Sequence, residues 1–296
     1  MDFTSAVLLN LSIVCIHLIL VDTMNSTIQD GLREKQQSIN EPDIFSIISK
    51  ANNELIKHTG SKVIEYGDIL VSTTRNARSC QHRSCLWPSS KDGNVYIPYV
   101  VDNKFSESDK QLIWKSLHEI NSLTCLKFYY RRRNEPGYIS VKSESGCYSG
   151  VGYGRNEQKL SLRIPECLHF GVIAHEFLHA IGFQHEQCRS DRDDHIKIMW
   201  DNIQSALKYN FNRLNTNNLG TVYDYGSIMQ YGSTAFTKNG KPTMIPKPDP
   251  NVELGQIRGL STIDVLKVNR CMWKHVNSSI WKYKLSKFPR SLSEQC

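Results

Sequence analysis

The 296-residue sequence has no cysteine between residues 22 and 79, no internal repeat, and only one long apolar run. That run, residues 6–21, is shorter than the ~20 residues of a membrane-spanning helix and is interrupted by polar side chains. It therefore predicts a secretory signal instead of an anchor. The sequence also lacks the interleaved basic and aromatic motif of a nucleic-acid-binding module. We expect neither nucleic acid nor a membrane among the partners.

The formal net charge is +7, and it is unevenly distributed. The first 75 residues hold six Lys or Arg and nine Asp or Glu, which leaves 30 against 20 for the rest of the chain. A basic surface can meet nucleic acid, anionic lipid or an acidic protein matrix. Because no corresponding motif is present, we interpret this surface as a solvated one.

Nine cysteines are present, and Cys15 lies in the predicted signal. The eight that remain are Cys80, Cys85, Cys125, Cys147, Cys167, Cys188, Cys271 and Cys296. An even number of cysteines in an exported chain indicates disulfides. The sequence therefore predicts a secreted, disulfide-linked protein.

The composition and the hydrophobic pattern change along the chain. Residues 22–75 are polar, with a short amphipathic stretch near 44–56, and they suggest either a removable pro-segment or a small accessory helix. From residue 94, alternating and helical patterns predict strands and two long helices, which together indicate an α+β domain. The predicted strands are 95–101, 126–130, 138–141 and 160–164, and the predicted helices are 106–124 and 170–181. Beyond about residue 182 we expect irregular structure.

A metal-binding pattern, HExxHxxGxxH, begins at His175. On a helix, His175 and His179 project from one face and can hold one side of a tetrahedral Zn²⁺. Gly182 can adopt the left-handed conformation that ends a helix, so the chain can turn and bring His185 to the same ion. Three neutral imidazoles leave a fourth position for water, whose pKa the ion lowers toward ~7. The pattern therefore predicts a catalytic zinc site.

Two further segments complete the predicted site. Glu176 follows the first histidine and can take the proton of the zinc-bound water, then deliver it to the leaving amine. Downstream, residues 227–231 read SIMQY, and peptidases with this histidine pattern place a methionine turn beneath the metal. Met229 would form its apolar floor, and Tyr231 could reach the metal or the developing oxyanion. Alone, these two residues would more simply fill a core.

The sequence resembles the astacin family of zinc endopeptidases. The resemblance lies in HEFLHAIGFQHEQCRSDRDD, in YDYGSIMQYG and in LGQIRGLSTID at 254–264, and it covers about residues 76–273. It implies an astacin-like metzincin catalytic domain, with two subdomains, linked by disulfides, around a deep cleft with zinc at its floor. It also implies an extended polypeptide substrate, bound by strand addition along an edge strand at 160–162.

The resemblance assigns roles residue by residue. The zinc ligands are His175, His179 and His185, and Glu176 is the general base. Tyr231 matches the tyrosine that binds zinc at rest and stabilises the transition state. Glu186 matches the glutamate that contacts the new amino terminus after activation.

The family silences its zymogen with a pro-segment aspartate on the zinc, in an aromatic or aliphatic-x-Gly-Asp motif. Glu65-Tyr-Gly-Asp68 matches this motif with Asp68 in place, although Glu65 replaces the expected apolar residue. Residues 74–80 resemble the activation boundary, with Asn76 as the first mature residue and Arg75 suited to a trypsin-like activating protease. The implied organisation is a signal at 1–21, an activation pro-segment at 22–75, a peptidase domain at 76–273 and a basic tail at 274–296.

Cys80 and Cys85, near the predicted mature start, resemble the extra cysteines of the six-cysteine fish astacins, which include hatching enzymes that digest the egg envelope. We expect four pairs: Cys80–Cys85, Cys147–Cys167, Cys125–Cys271 and Cys188–Cys296. Two alternatives stay open for the last two pairs. Either Cys125 pairs with Cys296 and Cys188 with Cys271, or Cys296 is free or links two molecules.

Two classes of function compete with a secreted zinc endopeptidase made as a zymogen. One is a secreted binding protein with a disabled protease fold, and the other is a structural matrix protein. Disabled relatives usually lose a zinc ligand or the glutamate, whereas this sequence keeps all of them. The enzyme is therefore the favoured interpretation, with matrix or egg-envelope proteins as its substrates.

Overall fold

The computed structural model describes residues 42–59, 63–71, 86–132 and 134–273. The predicted signal, the activation boundary and the basic tail lie outside these residues, as do Cys80, Cys85 and Cys296. The described residues from Asp43 onward form one compact unit. Within the described ranges, no helix has the length and apolar character needed to cross a membrane.

The described residues contain both helices and strands. The helices are α1 (Ile44–Thr59), α2 (Glu107–Leu123), α3 (Phe170–Ile181), α4 (Arg192–His195) and α5 (Thr262–Trp273), with 3₁₀ turns at Glu186–Cys188, Trp200–Asn202 and Ser205–Phe211. The strands are β1 (Ile64–Glu65), β2 (Ile69–Leu70), β3 (Val95–Val101), β4 (Leu126–Tyr130), β5 (Tyr138–Lys142), β6 (Cys147–Ser149), β7 (Glu157–Leu162), β8 (Ile196–Ile198) and β9 (Met244–Pro246).

One sheet of seven strands, in the order β1-β2-β6-β7-β5-β3-β4, forms the regular half of the fold. Strands β4, β3, β5 and β7 are parallel, and β6 is antiparallel to β7. The two strands of the predicted pro-segment extend this sheet, because Ile69 of β2 pairs in parallel with Ser149 of β6. Strands β8 and β9 form a separate antiparallel pair.

The substrate-pairing strand was placed wrongly by the sequence interpretation. Residues 160–162 lie in β7, which has a neighbour on both sides and is an interior strand. The strand that faces the pro-segment is β6, three residues long and too short to produce an alternating pattern of its own. Without β1 and β2, β6 would be the edge of the sheet.

Helix α2 shows how local sequence determines one element. Ser106 caps its amino terminus: the Ser106 hydroxyl accepts from the backbone N–H of Asp109, and the Asp109 carboxylate accepts from that of Ser106. Such reciprocal bonds satisfy backbone donors that the first turn leaves unpaired. The buried face carries Ile113, Leu117 and Ile120, at helical spacing. The prediction of 106–124 for this helix is accurate to one residue at each end.

Two apolar clusters form the interior. The larger is built on the sheet, α2 and α3, and the smaller gathers residues around Ile196, Phe211 and Phe236. Helix α1 contributes to both, because Ile48 lies in the larger cluster and Phe45 in the smaller one. The predicted pro-segment therefore packs into both apolar clusters.

Candidate active site

Helix α3 carries the first half of the metal-binding pattern. Every residue of this helix after Phe170 is buried, and His175 and His179 lie one turn apart. The helix ends at Gly182, which has φ 118° and ψ 7°, and whose N–H donates to the carbonyl of His179. This left-handed conformation suits a glycine because it has no Cβ, and it turns the chain back toward the helix.

Side chains from outside the helix fix its carboxyl end. The carbonyl of Ala180 accepts hydrogen bonds from the Trp87 indole (2.9 Å) and from the Gln158 side chain (3.2 Å). The backbone N–H of Gly152 donates to the carbonyl of His179 at 3.0 Å. Carbonyls that a helix end would leave without partners are thus satisfied, and the last turn, with His179, is held in place.

The three histidines converge on one centre. Nε2 of His179 lies 3.1 Å from Nε2 of His175 and 3.1 Å from Nε2 of His185. On the far side of the rings, Nδ1 of His175 donates to the carbonyl of Ile228 (2.8 Å) and Nδ1 of His179 to that of Phe183 (2.7 Å). A proton on Nδ1 leaves the Nε2 lone pair for a metal ion. The Nε2 atoms of His175 and His179 are therefore presented as ligands, and Nε2 of His185 faces the same centre.

Asp68 lies on the same centre. Its Oδ2 is 3.1 Å from Nε2 of His175, and its Oδ1 is 3.1 Å from Nε2 of His185 and 3.4 Å from Nε2 of His179. All four side chains are buried, and their ligand atoms lie within 4.8 Å of one another. The group is a three-histidine, one-carboxylate set of the kind that binds a single metal ion.

The protonation states of this group fit a divalent cation. Burial lowers the pKa of His179 and lowers that of His185 to about 4, so both imidazoles are neutral at pH 7. Burial raises the pKa of Asp68, but its interactions with His185, His179 and His175 outweigh burial and hold this pKa well below its usual range. Neutral lone pairs aimed at one point repel one another unless a cation lies between them. A zinc ion would give the three imidazoles and the carboxylate a common partner.

Glu176 is buried beside the first ligand, and neither carboxylate oxygen has a hydrogen-bond partner within the described part of the chain. Burial raises its pKa well above the usual value, and the negative charge of Asp68 adds to the effect. A carboxyl group with a raised pKa is suited to take and return a proton near neutral pH. The geometry leaves this residue available for that task.

Tyr231 and Met229 lie on the other side of the site, and both are buried. The Tyr231 ring contacts the ring of His185 and the ring of Phe45, each at 4.4 Å between centroids. A Cβ at Gly67 would lie 2.9 Å from the Tyr231 hydroxyl oxygen, so only glycine fits at that position, next to Asp68. Phe45 and Gly67, both in the predicted pro-segment, therefore enclose the tyrosine.

The methionine turn is anchored by a residue to which the sequence interpretation gave no role. Asp264 accepts hydrogen bonds from the Ser227 hydroxyl (2.6 Å) and from the N–H of Ile228 (2.9 Å). The carbonyl of Ile228 is the one that accepts from His175. Asp264 therefore holds Ile228, the residue whose carbonyl orients His175. A buried carboxylate partner of this kind has no sequence signal of its own.

Glu186, next to the third histidine, is held by cations. Its carboxylate contacts Lys267 (2.5 Å) and Arg189 (3.1 Å), and it accepts from the N–H of Asp224 (2.9 Å). All four residues are buried. The predicted contact of Glu186 with a new amino terminus stays a prediction, because Asn76 lies outside the described residues.

The predicted cysteine pairings can be compared with the structure only in part. Cys147 and Cys167 are joined by a disulfide. The thiol of Cys188 is fully buried, with Sγ 3.9 Å from the carbonyl oxygen of Asn210. The backbone N–H of Cys125 donates to Asn269 of α5, the helix that also carries Cys271. The pairings predicted for these last three cysteines stay predictions.

A zinc-binding helix, a third histidine beyond a left-handed glycine and a methionine turn, on an α+β scaffold, define a zinc metallopeptidase. More narrowly, the chain belongs to the astacin family, because the model of the peptidase family described as "Astacin" matches residues 81–273. It is a hatching-enzyme-like zinc metalloendopeptidase.

Several proteins are similar to this chain over most of its length. High choriolytic enzyme 1 of Oryzias latipes is 43% identical over 228 residues, which are 77% of this chain and 82% of that protein. The low choriolytic enzyme of the same fish is 41% identical over 251 residues, or 84% and 90% of the two chains. An astacin-like metalloendopeptidase of Coturnix japonica is 37% identical over 280 residues, or 92% and 66%.

A solved structure agrees with this assignment. High choriolytic enzyme 1, described as a hatching enzyme zinc-protease from the medaka fish, superposes with a TM-score of 0.63 at 44% sequence identity. The match covers 67% of this chain and 98% of that one. The fold and the family are therefore shown by sequence and structure together.

Proposed function

We propose that this chain is the secreted zymogen of a zinc endopeptidase that hydrolyses extracellular proteins, with residues 22–75 as its inhibitory pro-segment. The observation that carries the proposal is the position of Asp68, whose carboxylate lies 3.1 Å from Nε2 of both His175 and His185. A carboxylate there occupies the ligand position that catalysis requires for water. Helix α1 of the pro-segment also contributes buried side chains to both apolar clusters.

In the active enzyme, His175, His179 and His185 would hold the zinc, which lowers the pKa of a bound water and polarises the scissile carbonyl. Glu176 accepts a proton from the attacking water and delivers it to the leaving nitrogen, so that one water and one peptide bond become a carboxyl group and an amine. Tyr231, freed from the pro-segment, donates its hydroxyl proton in a hydrogen bond to the developing oxyanion. Strand β6 binds the extended substrate by strand addition.

Activation would occur by cleavage after Arg75, by a protease with trypsin-like preference, to give a peptidase domain at 76–273 with the basic tail at 274–296. Egg-envelope or related matrix proteins are the proposed substrates, because similar proteins are named choriolytic and hatching enzymes.

Latency through Asp68 can be tested in a precursor made uncleavable by Arg75→Gln and Arg78→Gln. Asp68→Ala removes a charge-assisted contact worth about 1.5–3 kcal/mol, so we expect the uncut precursor to hydrolyse a short fluorogenic peptide roughly 10- to 100-fold faster. Glu54→Gln is the matched control, because Glu54 is an exposed carboxylate of the same pro-segment. If the two uncut variants are equally silent, latency does not depend on Asp68.

Casein hydrolysis by the mature form distinguishes an active peptidase from a binding protein with a disabled protease fold. The mature form, residues 76–296, should hydrolyse casein, and a zinc chelator should abolish that activity. A mature form that binds zinc but cleaves neither casein nor a peptide library would support the binding-protein alternative. A cleavage profile on the same library would define the substrate preference.

A further inference from the structure

Helix α1 buries one side-chain amide, that of Asn52, among apolar side chains. Its buried residues are Ile44, Phe45, Ile47, Ile48, Ala51 and Asn52. The Asn52 side chain is fully buried, and it makes three hydrogen bonds of 2.7 Å each. A buried polar side chain costs stability unless it is fully bonded, so this position has a specific use.

Two of the three bonds go to one residue of β6. Asn52 Nδ2 donates to the carbonyl of Cys147, and Asn52 Oδ1 accepts from the N–H of Cys147. Along an antiparallel strand, successive residues direct their backbone groups to opposite neighbours. Tyr148 therefore faces β7, whereas Cys147 and Ser149 face the pro-segment. An asparagine side chain offers the same donor and acceptor as a peptide group, so Asn52 pairs with Cys147 as a strand would.

The third bond links the same amide to the metal site. The second N–H of Asn52 donates to the carbonyl of Gly67, the residue before Asp68. The carbonyl of Asp68 in turn accepts from the N–H of Ser149 at 3.0 Å. Asn52 thus joins three segments: helix α1, the turn that carries the aspartate, and the strand whose outer groups face the pro-segment.

The backbone at Gly146, just before Cys147, leaves room for this contact. Gly146 has φ 136°, and a Cβ at that position would overlap Oδ1 of Asn52. Any larger residue would therefore displace the amide. By contrast, the adjacent Asn53 is exposed, which makes it a matched control.

We propose that Asn52 is a second latency residue, a positioning residue that occupies the backbone groups of Cys147 in place of a substrate peptide and holds the Gly67–Asp68 turn on the histidines. This inference rests on the proposed function of the chain as a zymogen silenced by Asp68. It predicts that the aspartate alone is not sufficient for full latency. It also predicts that Cys147 becomes a main-chain binding point for substrate once the pro-segment is removed.

The test uses the uncleavable precursor, with Arg75→Gln and Arg78→Gln, and compares Asn52→Ala and Asn52→Asp with Asn53→Ala. Asp keeps the acceptor for Cys147 but cannot donate to the carbonyls of Gly67 and Cys147. We expect both Asn52 variants to hydrolyse a short fluorogenic peptide about tenfold faster than the Asn53→Ala control. Thermal unfolding of each precursor shows which variants are folded, and Asn52→Asp, being the same size, keeps the test valid if Asn52→Ala does not fold.

A second readout separates positioning from general loosening. In the Co²⁺-substituted precursor, the visible spectrum reports the ligand set, so Asn52→Ala should shift it toward the spectrum of the Co²⁺-substituted 76–296 form. A precursor that is merely less stable keeps the wild-type spectrum while folded, and that result would overturn the proposal. Equal rates of peptide hydrolysis by the uncut Asn52 and Asn53 variants would also overturn the proposal.

The Asp68→Ala precursor distinguishes the two levels of inference. Suppose that the uncut Asp68→Ala precursor hydrolyses the peptide and has a shifted Co²⁺ spectrum, whereas the Asn52 variants show neither change. Asn52 then has no role in latency, and the zymogen proposal stands. If Asp68→Ala is silent as well, the proposed latency mechanism itself is wrong.

Discussion

The two parts of the peptidase domain are built by different means. Residues 95–181, the upper part, are regular strands and helices with apolar interiors, and Glu176 is the only buried carboxylate among its described residues. Residues 186–273, the lower part, contain short turns, one small sheet, the one-turn helix α4 and, at their end, helix α5. Six charged side chains are buried in the lower part: Glu186, Arg189, Arg192, Asp224, Asp264 and Lys267.

The difference lies in what fixes the backbone. In the upper part, sheet hydrogen bonds and apolar packing do so. In the lower part, side chains replace secondary structure: Arg192, for example, donates to the carbonyls of Gln187 and Phe211. His175 and His179 of the zinc site belong to the upper part. His185 and Tyr231 come after the upper part in the chain. Catalysis thus requires a regular scaffold and a polar network to hold the same geometry.

The largest expected effect is the loss of a zinc ligand. In the mature enzyme, His179→Ala in the upper part and His185→Ala just before the lower part should each remove zinc and all measurable turnover. Both remove one of three neutral donors, and two donors bind zinc weakly. Metal analysis of the folded variants checks this, and full zinc occupancy in either would refute that ligand assignment.

Glu176→Gln should have the next largest effect. The amide has nearly the same shape but cannot accept the water proton, so we expect kcat/KM to fall by up to about 10⁴-fold with zinc retained. Glu107→Gln, an exposed carboxylate on α2, serves as the control. Activity within tenfold of wild type would mean that another group is the base.

The upper part was also the predictable part. Strand 95–101 and helix 170–181 have the predicted bounds, because their apolar patterns and end signals are local. Helix α5 was missed, since its buried face mixes Val265 and Val268 with polar Asp264, Lys267 and Asn269. Such a face gives no apolar stripe.

Contacts between distant segments could not be predicted either. The amphipathic stretch near residues 44–56 indicated a helix, but nothing in it showed that Phe45 would pack on Tyr231 or that Asn52 would bond to Cys147. Phe45 packs against the glycine before Asp68, whereas the resemblance led us to expect an apolar residue at position 65. The zinc pattern was predictable because its five residues fall within eleven positions of one another.

Tyr231→Phe, in the lower part, should have an effect of intermediate size on activity. The hydroxyl has no hydrogen-bond partner in the described residues of the precursor, so its removal should leave stability and zinc content unchanged. In the mature enzyme it should lower kcat by about 10²-fold, the cost of one oxyanion donor. Wild-type kcat for this variant would exclude the oxyanion role.

The smallest effect concerns how the lower part depends on pH. Burial raises the pKa of Asp264 to about 6, well above the usual value for an aspartate, and the charge of Asp224 adds to the rise, while Lys267 and the bonds from Ser227 and Ile228 oppose it. The folded state therefore binds a proton that the unfolded state releases, and this stabilisation is lost as pH rises from about 4 to 6.

Asp264→Asn removes this titration. The free energy of unfolding of wild type relative to the variant should fall by about 2 kcal/mol between about pH 4.5 and pH 7, and it should be flat above that range. Taking the difference cancels the titration of the histidines, which both proteins share. Denaturant unfolding at several pH values measures it, with Ile97→Val of the upper part as a control that lowers stability by about 1 kcal/mol at every pH. A pH-independent difference for Asp264→Asn would show that the carboxylate stays ionised, so that the polar network solvates a buried charge as fully as water does.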